Sequence, residues 1–248
     1  MTQKTNTIGL IGGTGLNEWG AVTETLDIET PFGAPSAPIS VFELQQCRLL
    51  FLPRHGHGHT IPPHRVNYRA NIAALQQAGA EQVIAVNAVG GIFEDCPPGR
   101  VCLPDQLIDY TWGRAHTYSD SQDDELQHVE FAKPFDEGMR NALLQAAASA
   151  AIQVNDSGCI GVTQGPRLET AAEVLRLAND GCDLVGMTTM PEAALARELG
   201  MPYATVCVVA NWAAGVSDEP ITMEAIDETV AAAMTDVRQL IATYLAIL

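Results

Sequence analysis

Arg54 and His55 head a polar loop, Pro53 to His64, that also carries His57, His59 and His64. An arginine offers a planar fork of donors that matches phosphate oxygens, and His55 is expected to add a further donor. Four histidines this close also raise a metal site, because their alternation could aim three at one ion. Against that, the adjacent arginine would repel a cation and no carboxylate stands nearby. A glycine-histidine loop without a ligand is the plainest alternative. A second anion motif lies at Ile8–Gly15, IGLIGGTG, where an apolar run enters a turn with almost no side chains. Glycines there leave backbone N–H groups free to face an oxyanion, and Thr14 adds a hydroxyl. The run fits neither G-x-G-x-x-G, whose third glycine would fall on Glu18, nor a Walker A loop, which needs a lysine.

Further along, Asn87-Ala88 precedes Gly90-Gly91, and Thr188-Thr189 follows Met187. Each pair could hold a phosphate or a sugar, with Met187 over an apolar face of a ligand. Each could equally make a turn or cap a helix. Glu169, in TQGPRLET (163–170), suits a helix N-terminus by its charge or could accept from a ring N–H. Asn211 follows the most apolar run of the chain. A buried asparagine must satisfy both a carbonyl and an amide. It could accept from a protonated ring nitrogen and donate to an exocyclic oxygen. Glu169 and Asn211 together could read the edge of a 6-oxopurine.

The elements around these residues alternate. Ile39–Leu44 and Cys47–Leu52 flank Gln45-Gln46 as a hairpin. Helical spacing resumes at Val66 and stops at Gly79; Gln82–Val89 reads as a buried strand, and Leu103–Tyr110 as an extended segment. Residues 112–134 form a polar, acidic excursion. Phe135–Ala151 is alanine-rich and helical, Cys159–Gln164 a strand, Thr170–Asn179 a helix with Thr170 as N-cap. Leu184–Met187 is a short strand, Pro191–Leu199 a helix, Tyr203–Ala210 a strand and Thr222–Ile247 a long amphipathic helix. The expectation is one α/β domain over residues 1–248, a largely parallel sheet covered on both faces. Ligands of such sheets sit beyond the carboxyl ends of the strands, and every polar motif above falls there.

The chain has 248 residues, a net charge of −17 and two lysines. That surface repels nucleic acid and anionic membranes, so neither is expected as a partner. An anionic substrate must be held by local arginines and backbone dipoles. Six cysteines match no zinc spacing and read as free thiols in a reducing compartment. No apolar run is long enough to span a bilayer, and a cytoplasmic protein is expected.

Gly12–Leu16 (GGTGL), Arg54-His55-Gly56, His59-Thr60, Val66-Asn67-Tyr68, Ala70-Asn71-Ile72, Gly165-Pro166-Arg167 and Met187–Glu192 (MTTMPE) resemble the 5′-methylthioadenosine phosphorylases. These belong to the trimeric branch of the purine nucleoside phosphorylases. The resemblance runs from Ile8 to the last helix. It implies a three-layer α/β/α fold with a mixed, largely parallel sheet, a homotrimer, inorganic phosphate as co-substrate, and no metal or other cofactor. Carried over by motif, phosphate is held by Thr14, Arg54, His55, Asn87, Ala88 and Thr188. The ribose rests on Met187, and the base faces Leu168, Glu169 and Asn211, beside Trp212 and Ala213. Asn211 and His55 are the expected catalytic pair.

Two departures refine this expectation. Adenosine-type members carry an aspartate where this chain has Asn211, and a second aspartate where it has Ala213. An amide donates to a 6-oxo group, so hypoxanthine, or guanine, is the expected base. Met223 falls where methylthio-accepting members carry a small apolar residue, although a methionine also fills packing gaps. His128 resembles a residue that reaches the 5′ pocket of the adjacent subunit. An oxopurine edge with an apolar 5′ pocket implies cleavage of S-methyl-5′-thioinosine to hypoxanthine and 5-methylthioribose 1-phosphate. A 6-oxopurine nucleoside phosphorylase for inosine or guanosine is the alternative, and a 5′-methylthioadenosine phosphorylase is another.

Overall fold

From Tyr203 to Val209 no residue is more than 2% exposed, so this run must lie inside a sheet covered on both faces. In the computed structural model, which describes residues 6–13, 16, 19–120 and 126–248, it is the last of eleven strands. These are β1 (Thr7–Gly12), β2 (Glu24–Leu26), β3 (Ile39–Leu44), β4 (Cys47–Pro53), β5 (Gln82–Gly91), β6 (Val101–Cys102), β7 (Gln106–Asp109), β8 (Val154–Asn155), β9 (Cys159–Val162), β10 (Leu184–Gly186) and β11 (Tyr203–Trp212). The α-helices are α1 (Tyr68–Gln77), α2 (Glu137–Ser149), α3 (Ala171–Asn179), α4 (Thr189–Glu198) and α5 (Met223–Ala246).

All eleven strands join one mixed sheet. Its middle is parallel, in the order β4-β1-β5-β11. A second parallel group, β10-β9-β7, meets β5 antiparallel through β10. The β3-β4 hairpin turns on Gln45 and Gln46, both at positive φ, which is the two-residue turn whose twist suits a hairpin. Side chains alternate between two cores, as a period of two requires. Val83, Ala85, Cys207 and Val209 pack with α1 and α4, while Ile84, Val86, Val206 and Val208 pack with α2 and α5. This is the expected three-layer fold.

The structure adjusts several boundaries. Asn67 caps α1 and Asp136 caps α2, so both helices start later than their apolar spacing implies. Thr170 caps α3 in a full capping box with Glu173. Within the expected segment 103–110 only Gln106–Asp109 is a strand, β7, and Pro104 separates it from β6, which precedes the segment. Two strands run further than their apolar runs do: β5 to Gly91 and β11 to Trp212. Asn211 therefore lies inside its strand rather than after it, as Asn87 already does. Gly91 permits this, since a Cβ there would stand 2.0 Å from the Cys96 carbonyl oxygen. Among the described residues, no helix is long and apolar enough to cross a membrane.

Candidate active site

A cavity of about 660 Å³ opens at the carboxyl ends of β1, β4, β5, β10 and β11. Arg54, His55, Asn87, Ala88 and Thr188 line it, and so do Met187, Leu168, Glu169, Asn211, Ala213 and Met223. Gly13 lines it as well, while Thr14 lies outside the described residues. Two expected substrate contacts do not line it. Trp212 contributes only its carbonyl, which accepts from Asn211 Nδ2 at 2.7 Å. His128 is exposed, within the excursion.

Arg54 is 2% exposed and its charge is met by Glu192, which is fully buried. Arg54 Nε and Nη2 donate to the two Glu192 oxygens at 2.5 and 2.9 Å, and Nη1 donates to the Val86 carbonyl at 3.0 Å. Tyr203 O–H also donates to Glu192. Burial works against the Arg54 cation, but the Glu192 carboxylate outweighs it and holds the guanidinium above its usual pKa. Three of five N–H groups are engaged, so the fork is aimed by its back and keeps two donors.

Thr188 does not take the alternative part of a capping side chain. It is the N-cap of α4 yet makes no side-chain cap bond; its hydroxyl donates to Asn87 Oδ1 at 2.7 Å. Asn87 Nδ2 in turn donates to Thr205 at 2.6 Å. The chain Thr188–Asn87–Thr205 ties the Asn87 amide to one hydroxyl on each side and so holds its plane at the cavity wall.

His55 spends one of its ring nitrogens on its own loop. Its Nδ1 lies 2.8 Å from the Ile61 carbonyl, and a carbonyl only accepts. Burial and the Arg54 cation push the imidazole pKa down to about 4. The ring stacks on His59 with centroids 4.3 Å apart. Among the described residues, no three His, Cys, Asp or Glu side chains converge as a metal site needs.

The profile of the phosphorylase superfamily matches residues 7–246. The chain belongs to that superfamily. It is 50% identical over 244 residues to the probable S-methyl-5′-thioinosine phosphorylase of Xanthomonas campestris pv. campestris, covering 97% of this chain and 98% of that one. It is 39% identical to the 6-oxopurine nucleoside phosphorylase of Pyrococcus furiosus, covering 94% and 90%. Among solved structures, the methylthioadenosine phosphorylase of Schistosoma mansoni in complex with adenine superposes with a TM-score of 0.93 at 33% identity, covering 98% and 92%.

Two buried charged residues, Glu192 and Arg114, stand outside the expected site residues. Glu192 stands in an apolar stretch, TMPEAALA, and a lone carboxylate there signals a buried cation. Arg114 left no such signal, as it lies in the polar excursion. It is 8% exposed and donates to the carbonyls of Met187, Met190, Thr163 and Gln164. It also lies over the Tyr68 ring. Arg114 thereby ties the Met187 segment to the Thr163–Glu169 segment. Thr163 donates to Glu169 at 2.6 Å and holds that carboxylate at the cavity.

Proposed function

We propose that the chain catalyses phosphorolysis of S-methyl-5′-thioinosine, giving hypoxanthine and 5-methylthioribose 1-phosphate. The observation that carries this is one cavity joining three kinds of surface. Arg54 and Asn87 offer donors for an anion, Asn211 and Glu169 offer an amide and a carboxylate for a purine edge, and α5 offers an apolar face. That face is Met223, Ile226, Val230 and Met234, one stripe of the helix, with Ile221 before it. A thioether packs against those four side chains, none of which offers a hydroxyl a partner.

In this reading Arg54, His55, Asn87, Ala88, Thr188 and Thr14 hold phosphate beneath the sugar. A phosphate oxygen bonds to C1′ as the C1′–N9 bond breaks, and that bond's electron pair leaves with the purine. The proton of monohydrogen phosphate balances the departing base. Asn211 stabilises the charge that develops on the purine, a contribution that grows in the transition state. Leu168, Glu169 and Ala213 surround the base, and Met187 underlies the ribose. No metal or other cofactor takes part.

The alternative substrate is a 6-oxopurine nucleoside such as inosine or guanosine. One observation favours it: Asp227 lies on the same stripe of α5 and lines the cavity, where it could accept from a 5′-hydroxyl. Turnover of S-methyl-5′-thioinosine, inosine and 5′-methylthioadenosine with phosphate separates the readings. The expected order puts the thioinosine first by kcat/KM. Preference for inosine would assign the 5′ end to Asp227, and preference for methylthioadenosine would overturn the part given to Asn211.

The assembly proposed is a cytoplasmic homotrimer in which His128 reaches an adjacent 5′ pocket. Six unpaired cysteines suit a reducing compartment. Trp112 and Leu126, 72% and 70% exposed on the excursion, suit a covered interface. Light scattering is expected to give three times the chain mass, and a monomer would leave His128 without its part.

A further inference from the structure

The polarity of the anion clasp differs from that of an ordinary phosphate site. His55 Nδ1 carries its hydrogen towards the Ile61 carbonyl, so in the neutral ring Nε2 is an acceptor. The ring is neutral near neutral pH: burial, the Arg54 cation and His59 all depress its pKa, and only the Ile61 bond opposes them. The other titratable groups nearby are Glu192 on α4, spent on Arg54, and Tyr68 on α1, whose pKa burial raises. Arg54 is cancelled by Glu192, and Glu169 and Asp227 line the same cavity. Every dianion meets that charge balance alike, so what separates one from another is the hydrogen that His55 Nε2 can accept.

We propose that the site selects inorganic phosphate by its proton, with a P–OH group donating to His55 Nε2. The proposal rests on the phosphorolytic reading and adds to it: the co-substrate is a tetrahedral oxyanion that still carries hydrogen. Monohydrogen phosphate and monohydrogen arsenate qualify. Sulfate, of the same shape and charge but without a proton at neutral pH, does not. This is discrimination by an unpaired buried acceptor, which rejects a partner lacking the matching donor.

The test compares phosphate, arsenate and sulfate at pH 8, by calorimetry and by competition against phosphate in turnover. Phosphate and arsenate are expected to bind alike and sulfate at least about tenfold more weakly, the scale set by one unmatched buried hydrogen bond. In His55→Ala the gap between phosphate and sulfate is expected to close to within about threefold. Sulfate binding as tightly as phosphate, or an unchanged gap in folded His55→Ala, would overturn the proposal. Imidazole ¹⁵N NMR of the native enzyme is a second check that needs no variant. Nδ1 protonated and Nε2 bare is the expected state at pH 7, and a protonated Nε2 contradicts it. Failure of the wider reading looks different, because phosphate itself would then neither bind nor be required.

Discussion

Glu192→Ala is expected to lower stability by about 3–5 kcal/mol, the usual result of stripping one partner from a buried ion pair. For a chain of this size that corresponds to a fall in Tm on the order of 10 °C. The cause is that Arg54 cannot escape by losing its proton. Its guanidinium is 2% exposed and would be left, among the described residues, with the Val86 carbonyl as its acceptor. Tyr203 would lose its acceptor in the same step. The change also frees the fork to turn, so the two donors facing the cavity lose their aim. The KM for phosphate is therefore expected to rise by tenfold or more, while the KM for the nucleoside moves little. Glu192→Gln separates the two effects. It keeps the volume and one acceptor, so it should restore much of the stability and little of the phosphate KM. Thermal unfolding with separate titration of the two substrates reads both. An unchanged Tm in Glu192→Ala would show that the pair contributes nothing net, and an unchanged phosphate KM would show that Arg54 needs no backing.

The contrast between Arg54 and Arg114 shows what the sequence could disclose. Arg54 could be read because it stands beside His55 at the end of an apolar run, where an α/β sheet presents its ligand. The alternating cores of β5 and β11 were legible too, since burial on both faces leaves continuous apolar runs. Arg114 could not be read. Its neighbours are polar, and its role consists of bonds to carbonyls of residues 163, 164, 187 and 190, which side-chain types do not encode. His55 is the middle case. Its type pointed to phosphate, but its polarity depends on the Ile61 carbonyl six residues on, brought back by a loop with Gly56, Gly58 and His59 at positive φ. Donor or acceptor is a property of that turn, not of the residue.

Asn211→Asp is expected to shift relative kcat/KM from 6-oxo towards 6-amino substrates by about 10- to 100-fold, the range that one mismatched buried hydrogen bond spans. The backbone supports so sharp a dependence. The register of β11 against β5 slips between Val209 and Asn211, so that Asn211 pairs with Gly90. A bulge beside a site re-aims a side chain, and the Trp212 carbonyl takes one amide hydrogen. The amide is thus held, with its second hydrogen and its oxygen still to be matched. Against a ring ketone the amide donates. A carboxylate there would set lone pair against lone pair, while against an exocyclic amine it would accept. The comparison of S-methyl-5′-thioinosine with 5′-methylthioadenosine isolates this term, because the two differ in the base and share the sugar end. The ratio of their kcat/KM values should move while the KM for phosphate stays level, since Arg54 and Thr188 are untouched. A ratio that does not move would mean that the discriminating donor lies elsewhere in the cavity, with the Glu169 carboxylate held by Thr163 as the next group to vary.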